Sequence, residues 1–213
     1  MKVVFSIISH GQRDLVQNLL ISMDRFLLCQ KHDFQVTITL NLPEDDKFRS
    51  RFKLKIIKNS KVKGFSANHN FAFNQENPTI FLIVNPDIEL ISTFNLDEVI
   101  DDFCSAGVSI TSPVIINQTQ EVEDYKRSDL SLSNLIKRKV LKKTDTSFDW
   151  YAGMFLIVCG DSFSKLNGFD QRFHMYVEDC DLCIRATRLG MFVQDVTKTK
   201  VLHNARRSSR KSL

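Results

Sequence analysis

No apolar run in this chain approaches the roughly 18 residues that a membrane-spanning helix needs. The longest candidate is the MFLIV run at 154–158, so the chain does not read as integral to a membrane. The opening MKVVFSIISHGQ has one lysine and an apolar run that breaks at Ser9 and His10, too short for the hydrophobic part of a signal peptide, so nothing there directs export. Five cysteines, odd in number and scattered, give no disulfide framework and read as reduced thiols that pack as small core residues. Cys180 and Cys183 form a lone C-x-x-C, and without a second pair they point to packing rather than to zinc or redox chemistry. No G-x-G-x-x-G follows the first strand, which counts against a dinucleotide cofactor. Internal repeats, low-complexity segments and the aromatic-rich strands of RNA-binding modules are missing too, and the phenylalanines sit in apolar runs as core.

What is present is enough for one sizeable core: 213 residues, 43% hydrophobic, read as a single domain over 1–213. The formal charge of +4 is unevenly placed. Lys137, Arg138, Lys139, Lys142 and Lys143 crowd one run, and Arg206, Arg207, Arg210 and Lys211 crowd the tail. Leu132, Leu135, Ile136, Val140 and Leu141 recur at helical spacing within the basic segment 126–143. Each Lys or Arg near an anionic bilayer contributes about 1 kcal/mol, so a cytoplasmic chain in peripheral contact with the inner face of the cytoplasmic membrane is expected.

Along the chain, strands are expected at 3–8, 36–40, 54–57 and 80–84, with leucine-spaced helix at 15–28 and a helix after Gly64 capped by Ser66. An acidic helix follows at 96–103, then strands near 108–110 and 114–116, a continuous buried strand within 148–160, the turn KLNGFDQRF, and a short strand MFVQDV. Strands alternating with helices predict an α/β fold, a mostly parallel sheet with helices on both faces and ligands at the carboxyl ends of its strands. Three loops then converge on one edge, bearing Ser9 and His10, Asn41, and the Asn85-Pro86-Asp87 turn. A carboxylate such as Asp87 in that position can hold Mg²⁺ or Mn²⁺ against a diphosphate, and His203 can add an imidazole ligand.

The stretch His174 to Gly190 reads as a short helix with acids at its entrance. Leu182, Ala186 and Leu189 form an apolar face, Asp181 can pair with Arg185 one turn on, and Gly190 ends the helix. Helix electrostatics alone accounts for part of this pattern.

Taken together, GFSANHN, NPDIEL, DWYAGMFLIV, NGFDQRFHMYVEDCDLCIRATRLG and VLHNARRSS resemble the family 2 glycosyltransferases, particularly bacterial rhamnosyltransferase-like members that build surface polysaccharides such as lipopolysaccharide. The resemblance runs from residue 1 to about 209. It implies a GT-A (Rossmann-like) fold with a nucleotide-sugar-binding half over 1–90 and an acceptor-binding half over 91–213. The activity implied is inverting, metal-dependent transfer from a dTDP- or UDP-linked sugar to a saccharide or lipid-linked acceptor. On the matching positions Asp87 is the last acid of the DXD-type metal site, begun here by Asn85, with His203 as a second ligand. Asn70 and Gly64 belong to the glycine-led loop near the diphosphate, and Gly153 is the glycine that lets the sugar approach the backbone. Asp179 is the candidate base and Glu178 its support. Relatives commonly end the second strand in Asp-Asn where this chain has Leu40-Asn41, which leaves the nucleobase open.

Two other readings are weighed. A sugar nucleotidyltransferase would show a Gly- and Arg-rich phosphate loop after the first strand, and SIISHGQRDLV offers only Gly11 and Arg13. A non-catalytic module docking on membranes or nucleic acid would rest on the basic clusters alone.

Overall fold

The structure, a computed structural model, describes residues 1–27, 31–128, 149–173 and 177–204. The basic cluster Lys137, Arg138, Lys139, Lys142 and Lys143, the leucine-spaced stretch among it, the tail with Arg206 and Arg207, and His174 lie outside the described residues.

The chain begins with β1 (Val3–Ser9), buried along almost its whole length, and α1 (Arg13–Phe26). Next come β2 (Phe34–Leu40), β3 (Leu54–Lys58), α2 (Phe65–Glu76) and β4 (Ile80–Val84). β1, β2, β3 and β4 pair in parallel in the order β3-β2-β1-β4. Continuous runs such as VVFSII and IFLIV suit such strands, because both faces of a parallel sheet are covered. The sheet is extended by β10 (Phe155–Cys159), antiparallel to β4, and then by β6 (Ile110–Thr111). The expected α/β architecture, mostly parallel at its centre, is therefore present.

A second sheet closes one side of the carboxyl edge. Its strands are β5 (Ile88–Leu90), β7 (Val114–Ile116) and β11 (Lys200–His203), in the order β5-β11-β7. Ser22 in α1 anchors it, its hydroxyl donating to Leu19 O and accepting from Leu90 N at 3.0 Å. α3 (Leu96–Ser105) starts at Asn95, whose side chain accepts from the backbone of Asp97 and Glu98. A two-stranded ladder pairs β8 (Lys126–Arg127) with β9 (Trp150–Tyr151). α4 (Gly160–Lys165) and α5 (Glu178–Arg188) complete the described elements.

Several expectations change. The buried strand expected between Gly153 and Gly160 is β10, and Trp150–Tyr151 ahead of it add a separate strand, β9, because Met154 N bonds back to Ala152 O and turns the chain between the two. Ser66 does not cap α2: Gly64 occupies that position, and the Ser66 hydroxyl donates to Phe173 O. MFVQDV contributes a single bridge, Val193 to Ile110, while Asp195 is drawn to Tyr151 and Lys126. Leu189 is 63% exposed, because it falls at the C-cap of α5 where the helical face runs out. The rest of that face behaves as expected: Leu182, Cys183 and Ala186 are fully buried, and the described cysteines are free thiols. The Asp181–Arg185 pair forms at 2.7 Å, and Arg185 also donates to Leu166 O and Gly168 O, fastening α5 to the turn before it.

Candidate active site

A cavity of about 740 Å³ opens at the carboxyl edge of the parallel strands. His10, Asn41, Gly64, Asn85, Asp87, Gly153, Glu178 and Asp179 all line it, so eight of the residues singled out from the sequence meet at one place.

One wall is built from the strand ends. β1 runs into Gly11, whose φ of +72° is the left-handed turn that glycine permits, and Ser9 Oγ accepts from Gln12 N at 3.1 Å to fix it. Ser9 is fully buried and does not line the cavity; it shapes the loop that presents His10. After β2, Asn41 reaches across to the strap before α2: its Oδ1 accepts from Lys63 N and its Nδ2 donates to Lys63 O, both at 2.9 Å. Asn59 joins Asn41 to Asn68, and the His10 ring lies 3.1 Å from Asn41 Nδ2. Asn41 thus holds Lys63-Gly64 against the cavity.

Asn70 is elsewhere. Only 8% exposed, it bonds both ends of its amide to one backbone unit, Oδ1 accepting from Phe169 N at 2.9 Å and Nδ2 donating to Phe169 O at 2.8 Å. It borders a separate depression with Gly168, Asp170 and Arg185, not the main cavity. Beside the expected place near the diphosphate, the structure shows Asn70 as a clamp between α2 and the turn that leads to α5. Sequence could not separate the two roles, since an asparagine on a helix serves either.

Asp87 meets His203 through sheet register. β11 runs antiparallel to β5 with His203 opposite Ile88, which brings His203 Nε2 to 3.3 Å from Asp87 Oδ2. The other ring nitrogen, Nδ1, lies 2.9 Å from Glu123 Oε2. Burial alone would push this imidazole down, but the Asp87 and then the Glu123 carboxylates outweigh it and raise its pKa to about 8. Asp87 Oδ1 is buried and has no hydrogen-bond partner among the described residues. An imidazole backed by a carboxylate, beside a carboxylate oxygen left open, is a fitting donor set for Mn²⁺ or Mg²⁺. Among the described residues no group of three or more His, Cys, Asp or Glu makes a full cage, so a cation held here would take its other ligands from a diphosphate and water. It would also displace the proton that the imidazole otherwise carries.

The opposite wall is the entrance of α5. Val177 precedes it in a left-handed conformation, φ +73°, and turns Glu178 and Asp179 towards the cavity. Asp179 Oδ2 accepts from Gly153 N and Oδ1 from Cys180 N, each at 2.8 Å. Gly153 therefore serves as a backbone donor that orients Asp179, and a Cβ there would sit 3.5 Å from Asp179 Oδ2. Glu178 is 7% exposed, and its Oε2 has no partner among the described residues. Burial pushes its carboxyl above the usual range, with the Asp179 charge adding to the effect. Among the residues that escaped the sequence reading are Lys63, Asp124 and Trp150, which line the cavity, and Glu123, which backs His203. Only Trp150 left a signal, as the chain's one tryptophan, three residues before Gly153.

No protein-family model matches the chain. By sequence it is 29% identical over 169 residues to rhamnosyltransferase WbbL of Escherichia coli K12, covering 70% of this chain and 64% of the relative. It is 32% identical over 73 residues to the N-acetylglucosaminyl-diphospho-decaprenol L-rhamnosyltransferase of Mycobacterium tuberculosis, covering 34% of this chain and 24% of the relative. The chain thus spans less than two thirds of the length of the curated relatives it matches. Among solved structures, S. aureus TarS superposes with a TM-score of 0.69 at 14% identity, over 96% of this chain and 37% of that one. The mannosyltransferase PcManGT from Pyrobaculum calidifontis, in complex with GDP-Man and Mn²⁺, gives 0.66 at 13% identity over 97% and 58%. These neighbours have the GT-A glycosyltransferase fold, and so does this chain. Sequence relatives and fold agree with the resemblance carried by the motifs.

Proposed function

We propose that this chain, with its GT-A fold and its likeness to rhamnosyltransferases, transfers a sugar from a nucleotide diphosphate sugar to a saccharide or lipid-linked acceptor, with inversion and with Mn²⁺ or Mg²⁺. The observation that carries the reading is one cavity with Asp87, backed by His203, on one wall and Asp179, held by Gly153, on the other. That is the division of labour the transfer needs, a place for the diphosphate and a base across from it. Rhamnose as the donor sugar and a lipid-diphosphate-linked saccharide as the acceptor are suggested by the names of the sequence relatives. GDP-mannose and UDP-N-acetylglucosamine complexes of the structural neighbours support a nucleotide sugar as donor.

Asp87 and His203 would hold the cation, which supplies Lewis-acid stabilisation of the charge on the departing diphosphate. Asp179 takes the proton from the acceptor hydroxyl as its oxygen bonds to the anomeric carbon. The bond from that carbon to the phosphate oxygen breaks, and its electron pair leaves with the nucleotide. Attack from the face opposite the leaving group inverts the centre, as it does for water in an inverting glycosidase. The two backbone N–H groups on Asp179 fix its direction while leaving lone pairs for the incoming proton.

Release of nucleoside diphosphate from a panel of dTDP-, UDP- and GDP-sugars, with and without Mn²⁺, tests the class. Asp179→Asn should abolish transfer and keep nucleotide affinity; turnover surviving in that variant would remove Asp179 from the role of base. Peripheral attachment through Lys137, Arg138, Lys139, Lys142, Lys143, Arg206 and Arg207 belongs to the proposal on sequence grounds. Among the described residues no helix is long and apolar enough to cross a membrane. Sedimentation with anionic but not neutral liposomes is the expected result, and equal recovery with both would argue against it.

A further inference from the structure

Two large apolar side chains stand in water on either side of one lysine. Val62 is 54% exposed and Phe71 is 40% exposed. Val62 directly precedes Lys63 in the strap that leads into α2, and the Lys63 ammonium lies 4.8 Å from the centre of the Phe71 ring. Phe71 is on the outward side of α2, since its neighbours Asn70, Ala72 and Phe73 are buried. A single exposed apolar residue needs no account, but a pair that frames a cation does. Val62 and Lys63 also line the large cavity, so this patch begins at its rim.

The charge around the pair has one sign. From Lys55 to Gln75 the chain has four lysines and no Asp or Glu. Lys55 is held by Glu76 and Lys58 by Asp46, which leaves Lys61 and Lys63 without a carboxylate partner among the described residues. The loop after Asn41, which Asn41 ties to Lys63, does not cancel them: Asp45 pairs with Arg13 at 3.6 Å, and both carboxylate oxygens of Glu44 are buried. Free ammonium groups thus stand beside exposed apolar side chains.

That combination selects among partners. A soluble anion would meet the lysines and leave Val62 and Phe71 in water. An apolar peptide would cover those two and desolvate the ammonium groups with nothing to pair them. A stacked nucleobase would have to displace Lys63 from the Phe71 ring. The interface of an anionic bilayer takes both kinds of group, apolar side chains at the acyl boundary and lysine heads at the phosphates just above it.

We propose that Lys61, Val62, Lys63 and Phe71 form a docking patch for an anionic lipid bilayer, with Val62 and Phe71 entering the acyl boundary and the two ammonium groups on lipid phosphates. The patch is separate from the basic clusters at 137–143 and 206–211, and it fixes an orientation in which the cavity's rim at Val62 faces the bilayer. A lipid-linked acceptor then reaches the cavity without leaving the membrane; that purpose rests on the glycosyltransferase reading, and the docking does not.

The full chain is mixed with vesicles of phosphatidylcholine, alone or with about 30% phosphatidylglycerol, and binding is read by co-sedimentation and by hydrogen exchange. Anionic vesicles should bind the chain, bind it less as salt rises, and slow exchange in the peptide covering 59–65. Lys61→Gln should weaken partition about fivefold, Phe71→Ser about 5- to 10-fold, and the double variant at least about 20-fold. Neither residue lines the cavity, so nucleoside diphosphate release from the nucleotide-sugar panel in vesicle-free buffer should match the native chain. Exchange at 59–65 unmoved by anionic vesicles overturns the patch, and that result needs no variant to fold. Partition unchanged in the double variant also overturns it and leaves attachment to the basic clusters, while equal binding to phosphatidylcholine alone removes the phosphate contacts and overturns it as well. Docking through the patch by a chain that releases no nucleoside diphosphate would instead sink the transferase reading and leave the docking surface standing.

Discussion

Replacing Asn70 with alanine separates the two roles this residue could have. The side chain closes a two-point hydrogen bond on the backbone of Phe169, at 2.9 and 2.8 Å, in a position 8% exposed. Alanine leaves the Phe169 N–H and C=O buried without their partner, and each such loss costs about 1–3 kcal/mol, for a total of about 2–6 kcal/mol. For a chain of this size, where 1 kcal/mol moves the midpoint by about 2–4 °C, the melting temperature should fall by roughly 4–24 °C. Urea unfolding followed by circular dichroism measures the loss, with the slope against denaturant unchanged if the native fold is retained. Nucleotide affinity, measured well below the variant's melting point, should hold within about twofold, because Asn70 does not border the cavity. The reasoning is refuted if stability is kept and nucleotide affinity drops tenfold, since that would return Asn70 to the diphosphate.

Gly160→Ala should be more damaging, because a Cβ there would lie 1.9 Å from Pro78 O, a backbone atom that cannot swing aside; a loss above about 3 kcal/mol, seen as insoluble or unfolded protein, is expected. His69 is fully buried among Phe65, Phe81 and Phe169 with Ser6 Oγ on its Nδ1 at 2.8 Å, and burial lowers its pKa from 6.5 to about 3. The folded chain keeps it neutral while the unfolded chain protonates below 6.5, so its contribution is complete above 6.5 and is lost as pH falls towards 3, at up to about 1.4 kcal/mol per pH unit. Urea unfolding at pH 6.0 and 5.0 should show a shallower pH dependence in His69→Gln than in the native chain, and parallel slopes would contradict the assignment.

Where the structure follows the sequence, the cause is local. VVFSII and IFLIV are apolar on both faces and become central parallel strands; α1 and α5 bury the sides their spacing marks. Asp181 and Arg185 meet because four residues make one helical turn. The loops with His10, Asn41 and Asp87 converge because parallel strands end on the same edge. Where the reading strayed, at Ser66 and Leu189, a neighbour distant in sequence or the end of an element overrode the local pattern.

The α/β class, the strands that build the sheet and the edge on which its loops gather were set by the order of apolar and polar residues, since those periodicities act within a few positions. Tertiary structure decided what meets across that edge. The antiparallel register of β5 and β11 puts His203 on Asp87, the turn between β9 and β10 aims Gly153 N–H at Asp179, and the packing of α5 on β9 leaves Glu178 and Trp150 buried, each with a polar atom unpartnered among the described residues, and on one wall. These contacts depend on register and crossover between segments that lie 26 residues apart for Gly153 and Asp179 and 116 apart for Asp87 and His203. Glu178 and Asp179 adjoin in the chain, yet only packing distinguishes them, leaving one with its oxygens held by backbone N–H groups and the other with an oxygen open to a ligand.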